Sequence, residues 1–139
     1  MTDFENTEAS PGPFGAGESE RGSETVETAI LFSVLVLVIF GVIQGALWFH
    51  ARDVAHSAAS SAYFQARLNN SSEADGATAG QGILDSSHGS LTGGNVAISR
   101  SATTVTVTVT GSAPSILSFL MLPEVSETVT GPVERFTAP

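Results

Sequence analysis

The sequence predicts an α+β protein in which a long N-terminal transmembrane and stalk helix is followed by a small three-stranded antiparallel β meander. Three observations predict this fold. Residues 29–49 form a run of 21 residues without a charge, residues 51–68 continue without glycine or proline, and residues 104–110 alternate threonine with valine. The first two patterns are typical of a helix, and the third is typical of a strand with one buried face.

The first 22 residues differ in composition from the segments that follow. They are rich in proline, glycine and serine, carry five acidic residues and one arginine, and have no apolar period. Such a segment cannot bury enough apolar surface to offset the entropy of ordering it. We therefore expect residues 1–22 to be disordered.

The apolar run at residues 29–49 is long enough to cross a membrane. As a helix it measures roughly 31 Å, which matches a hydrocarbon core of about 30 Å. The alternatives are a buried helix of a soluble core and a removed signal peptide. A chain of 139 residues surrounds such a run with difficulty, and its leading segment is acidic where a signal peptide is basic. With Trp48 and Arg52 marking the return to water, we predict a transmembrane helix over residues 23–50.

The rest of the chain predicts a stalk and a small β domain. Residues 51–68 predict a helical stalk extension, residues 69–82 a linker of small and polar residues, and residues 83–139 the β domain. We expect strands at residues 95–100, 103–110 and 124–136, with Pro132 either keeping the last strand at an edge or splitting it. The apolar stretch at residues 114–123 is either a short helix or a loop resting on the sheet or the membrane. So small a domain without cysteine needs the stalk or neighbouring subunits to bury its valine face.

A short motif stands directly before the apolar run. Arg21, Gly22 and Ser23 follow one another, and Glu27 is the fifth residue counted from Ser23. Over residues 22–45 this arrangement resembles the prepilins of type IV filament systems, and most of all the TadE-like pilus assembly proteins of the tight-adherence system. The major pilins of that system have tyrosine after the glutamate. Here Thr28 follows it, which favours a minor pilin or pseudopilin.

The resemblance implies a processing site, a topology and a set of partners. It implies that the leader is cytoplasmic and is cut between Gly22 and Ser23 by an aspartic prepilin peptidase, and that the helix is retained. The chain would cross the cytoplasmic membrane once, with its β domain outside, and enter a Tad/Flp-type surface pilus or its assembly complex. The implied partners are the lipid bilayer, the peptidase, other pilin or pseudopilin subunits and inner-membrane assembly proteins.

The residues themselves indicate how processing and packing would work. Cleavage would expose the α-amine of Ser23, whose reference pKa of about 8 leaves it mostly cationic at neutral pH. Glu27 lies about one helical turn further on and can pair with that amine or with the amine of a neighbouring subunit. The alternative for Glu27 is a carboxylate favoured by the helix dipole. Gly41 and Gly45 form a small-residue pair that allows close helix packing.

The composition excludes several other functions. With 14 acidic and 5 basic residues the formal charge is −9, which disfavours nucleic acid, and the absence of cysteine removes thiol chemistry. His50, Asp53 and His56 recur every third residue, but they lack the further ligands of a metal site, and a solvated face is favoured. We predict no catalytic, cofactor-binding or metal-binding residues and no enzyme activity. The alternative function is an uncleaved single-pass surface or envelope protein that does not polymerise, and a secreted enzyme is more distant.

Overall fold

The computed structural model describes the backbone of residues 17–135 and the side chains of residues 22–135. The chain divides into two compact units, Met1–Val38 and Ile39–Pro139. The predicted α+β fold is confirmed. In chain order its elements are helix α1 (Gly17–Ala66), helix α2 (Glu73–Ser86) and strands β1 (Thr92–Arg100), β2 (Thr104–Ser112) and β3 (Val125–Pro132).

Helix α1 begins earlier than the sequence predicts. The prediction of disorder for residues 1–16 lies outside the described residues, whereas residues 17–22, which belong to the same predicted segment, are helical. That part of the prediction is wrong. No proline occurs between residues 14 and 113, so the sequence contains no strong interruption of the helix ahead of the apolar run.

Helix α2 replaces most of the predicted linker at residues 69–82. It begins with a capping box, in which the Asp75 N–H donates to the Ser72 hydroxyl at 3.2 Å and the Ser72 N–H donates to the Asp75 carboxylate at 2.8 Å. This reciprocal pair satisfies backbone donors that the first turn of a helix otherwise leaves free. The linker prediction is wrong because the small residues of this segment serve packing and do not indicate flexibility.

The packing of α2 on α1 depends on two glycines. A Cβ at Gly76 would lie 2.7 Å from the Ala66 Cβ and 2.9 Å from the Ala62 carbonyl oxygen. A Cβ at Gly80 would lie 3.0 Å from the Ala62 Cβ and 3.2 Å from the Ala58 carbonyl oxygen. Both positions are buried, so the two helices approach each other through glycine on one side and alanine on the other.

The sheet is the predicted antiparallel meander, in the order β1-β2-β3. Val107 in the central strand is opposite Ile98 of β1 and Val129 of β3. The exposed face carries threonine pairs, such as the Thr108 and Thr128 hydroxyls at 3.1 Å. The last strand ends at Pro132, which is shorter than the predicted range of residues 124–136; residue 136 lies outside the described part of the chain.

The core of the Ile39–Pro139 unit forms between the valine face of β2 and the alanine face of α1. The valines of β2 are fully buried, and so are the small residues of the helix face that belongs to the same core. Alanine leaves room for close approach, so that the small sheet and the short helix α2 can both pack close to this face of α1. These residues are Val105, Val107 and Val109 with Ala51, Ala55, Ala58, Ala59, Ala62 and Ala66.

Candidate processing site and apolar helix surface

The predicted processing residues Gly22, Ser23 and Glu27 all lie in α1 and are exposed. Ser23 and Glu27 are four residues apart and therefore share a helix face. A peptidase that cut the bond between Gly22 and Ser23 would have to unwind the helix locally. Glycine makes that easier, since it destabilises a helix interior by about 1 kcal/mol relative to alanine. A Cβ at Gly22 would meet no atom within 4 Å among the described residues.

The hydroxyl groups near the start of the apolar run are bonded within the helix. The Thr28 hydroxyl donates to the Glu24 carbonyl at 2.8 Å, and the Ser33 hydroxyl donates to the Ala29 carbonyl at 2.8 Å. A hydroxyl bonded in this way needs no water, which suits a helix that enters a bilayer.

The Met1–Val38 unit presents a broad apolar surface. Its large apolar side chains at described positions are between 53% and 69% exposed. The stretch Gly22–Ala66 of α1 is long and apolar enough to cross a membrane, and none of its most apolar window is buried by the rest of the described chain. A core helix of a soluble protein would bury such residues. The exposed side chains are Val26, Ile30, Leu31, Phe32, Val34, Leu35, Leu37 and Val38.

Gln44 differs from the rest of the apolar run because it is only 1% exposed. Its Nε2 donates to the Pro114 carbonyl at 3.0 Å, and its Oε1 accepts from the Ile116 N–H at 2.9 Å. Both ends of the amide are therefore paired with the connection between β2 and β3. In the sequence, Gln44 and Ser33 are the two polar residues of the run at residues 29–49. The available signal was its isolation, since a polar group in apolar surroundings is costly unless it is hydrogen-bonded.

Gly41 and Gly45, the predicted helix-packing pair, lie next to open space. A Cβ at either position would meet no atom within 4 Å in the described part of the chain. Their surface is free to receive another helix, and its use in packing stays a prediction.

The polar residues just beyond the apolar run are directed toward β3. The Arg52 Nε donates to the Glu127 carboxylate at 2.5 Å, and the His56 Nδ1 lies 3.6 Å from the other oxygen of that carboxylate. The hydrogen bond and the charge of Glu127 raise the pKa of Arg52 above its ordinary value. Between residues 22 and 135 no group of three or more histidine, aspartate or glutamate side chains is arranged to hold a metal ion.

Comparison of the sequence with models of protein families gives a match that lies within helix α1. The family model described as TadE-like protein matches residues 22–62, from the processing motif to the alanine face. Over these residues, which are less than half of the chain, it is similar to the TadE-like family. This confirms the resemblance that the motif indicates, and it links residues 22–62 to the Tad pilus system. No curated protein and no solved structure gives a significant match.

Proposed function

We propose that this TadE-like chain is the precursor of a minor pilin or pseudopilin of a Tad/Flp-type pilus. The observation that carries the proposal is the position of an exposed Gly22–Ser23 bond in α1, directly ahead of the apolar run, whose large side chains are uncovered in the Met1–Val38 unit. A prepilin peptidase removes residues 1–22 on the cytoplasmic side of the membrane. The helix stays in the mature chain and anchors it until other subunits replace the lipid around it.

The role of Glu27 follows from the charge that processing creates. An ionised carboxylate at a bilayer centre costs on the order of 2.5–3.5 kcal/mol on insertion scales, and less near the interface. The α-amine of Ser23, in the same chain or in a neighbour, offsets this cost when helices leave the lipid and bundle. Only the processed chain has that amine, so cleavage and assembly are coupled through one ion pair.

The processing step is tested by measuring the intact mass of the membrane-extracted full chain from cells that contain the peptidase. We expect the mass of a chain that begins at Ser23. Gly22→Leu should retain the leader, whereas Gly82→Leu should be processed normally; a Cβ meets no atom within 4 Å at either position. An intact leader on the unmodified chain supports the uncleaved membrane-anchored protein instead. A water-soluble product that lacks the helix contradicts both functions.

The role of Glu27 is tested by Glu27→Ala, with Glu24→Ala as its control. Both carboxylates are exposed near the start of the apolar run, so an effect of the helix dipole would change little between them. We expect Glu27→Ala to insert into the membrane but to be lost from the pilus fraction, and Glu24→Ala to be retained there. Equal incorporation of the two variants would remove the proposed role.

A further inference from the structure

The connection between β2 and β3, residues 113–124, exposes large apolar side chains. We call it the β2–β3 loop. Phe119 is 77% exposed, Met121 is 97% exposed and Ile116 is 50% exposed. Residues 113–123 carry no charge. A cluster of exposed apolar side chains of this kind marks a surface that contacts something other than water.

Both ends of the β2–β3 loop are attached to α1. At the first end, Gln44 bonds the Pro114 carbonyl and the Ile116 N–H. At the second end, the Trp48 indole N–H donates to the Pro123 carbonyl at 3.1 Å. Gln44 and Trp48 are four residues apart on one helix face. The loop is therefore held against the helix at two successive turns.

Both attachment points on the helix, Gln44 and Trp48, lie within the apolar run at residues 29–49. Gln44 precedes Phe49, the last residue of the run, by five residues, which is about 7.5 Å at 1.5 Å per residue. Segments that lie in a membrane interface bury their apolar face to about 5–10 Å. Trp48 belongs to the residue type that is enriched at that interface. If the apolar run crosses the bilayer, the loop is held at interfacial depth.

We propose that the β2–β3 loop is a second membrane contact, in which Phe119 and Met121 enter the acyl region of the leaflet next to the β domain. The partner is the lipid bilayer, and the proposal rests on the span crossing it but not on processing or pilus assembly. Glu124, exposed at the end of the loop, and the Arg52–Glu127 ion pair lie in sequence just beyond the attachment points and mark the water side.

The backbone of the loop is suited to the interface. It has neither helix nor strand, so it cannot lie bare in the hydrocarbon core. Several of its polar groups are nevertheless bonded: the Leu120 N–H donates to the Leu117 carbonyl at 2.9 Å, and the Ser115 hydroxyl donates to the same carbonyl at 2.8 Å. The backbone can lie among headgroups while the apolar side chains reach deeper.

The proposal is tested by site-directed spin labelling of the full chain in phosphatidylcholine vesicles. The chain contains no cysteine, so each introduced cysteine is the only labelling site. Met121→Cys and Phe119→Cys report on the loop, and Leu37→Cys reports on the apolar run. Ala102→Cys is the water control, because it lies in the β1–β2 turn, at the opposite end of the nine-residue strand β2 and roughly 30 Å away.

We expect labels at residues 119 and 121 to collide more often with oxygen than with a water-soluble nickel chelate, as at residue 37, and the reverse at residue 102. Nickel access at 119 and 121 equal to that at 102, with residue 37 in lipid, overturns the proposal and leaves the pilin function standing. Low access to both reagents at 119 and 121 means that protein covers the loop, which also overturns it. Nickel access at residue 37 overturns the span and both proposals.

Discussion

Replacing Gly76 by alanine should destabilise the protein even though alanine is the better helix former. In an open helix position the change gains about 1 kcal/mol. At Gly76 the new Cβ would lie 2.7 Å from the Ala66 Cβ, 2.8 Å from the Ile98 Cδ1 and 2.9 Å from the Ala62 carbonyl oxygen. Backbone oxygen cannot move aside without shifting α1, and overpacking of this kind costs about 1–3 kcal/mol. The free energy of unfolding of Gly76→Ala should therefore be lower than that of the unmodified chain by up to about 2 kcal/mol.

Gly82→Ala is the matched control, because a Cβ at Gly82 meets no atom within 4 Å. Gly82 lies in the same helix as Gly76, so Gly82→Ala should gain the full helix-propensity difference of about 1 kcal/mol between glycine and alanine. The free energies of unfolding of the two variants should thus differ by about 1–3 kcal/mol. Urea unfolding of the full chain in detergent, followed by circular dichroism, measures this difference. Equal stabilisation of both variants would mean that α2 does not pack on α1 and would refute the assignment of its glycines to packing.

Two further predictions concern ionisable groups. Hydrogen bonds from the Ser72 backbone N–H and hydroxyl lower the pKa of Asp75. Its stabilising contribution is present above the unfolded pKa of about 3.9 and is lost as the pH falls through the lower folded value. Asp75→Asn should therefore lower the urea midpoint at pH 7, and the gap to the unmodified chain should shrink as the pH is lowered below about 4; a constant gap would contradict this. Arg52→Met, which removes the exposed pair with Glu127, should leave the urea midpoint nearly unchanged in the same assay, because solvent screens an exposed ion pair; a clear fall in the midpoint would show that the pair has a structural role.

The features that follow a local period could be predicted from the sequence. The apolar run predicts a helix that crosses a membrane, and the threonine–valine alternation of residues 104–110 predicts a strand with one buried face. Val105, Val107 and Val109 are indeed fully buried. Each of these patterns is set by neighbours in the chain, so the sequence alone contains enough information to find it.

Features that depend on distant residues could not be predicted in the same way. Gly76 and Gly80 look like linker residues until the alanine face of α1 is placed against them. Gln44 finds its partners 70 and 72 positions further along the chain. No local period indicates such pairs. A useful sign in both cases was a residue that conflicts with its surroundings, namely glycine next to a capping box and a lone amide in an apolar run.

In the Ile39–Pro139 unit, one face of α1 packs against the sheet and loop of the same chain. Another subunit could therefore pack only on the remaining faces of this part of the helix. Gln44 and Ala51 are buried against the sheet and its loop. Val42, Gly45 and Phe49 lie roughly 100–160° around the helix from Gln44 at 3.6 residues per turn. Val42 is 68% exposed, Phe49 is 61% exposed, and the space beside Gly45 is open. If the proposed pilus forms, a helix from a neighbouring subunit that packs on this unit should approach from the Val42–Phe49 side, where Gly45 permits the closest contact.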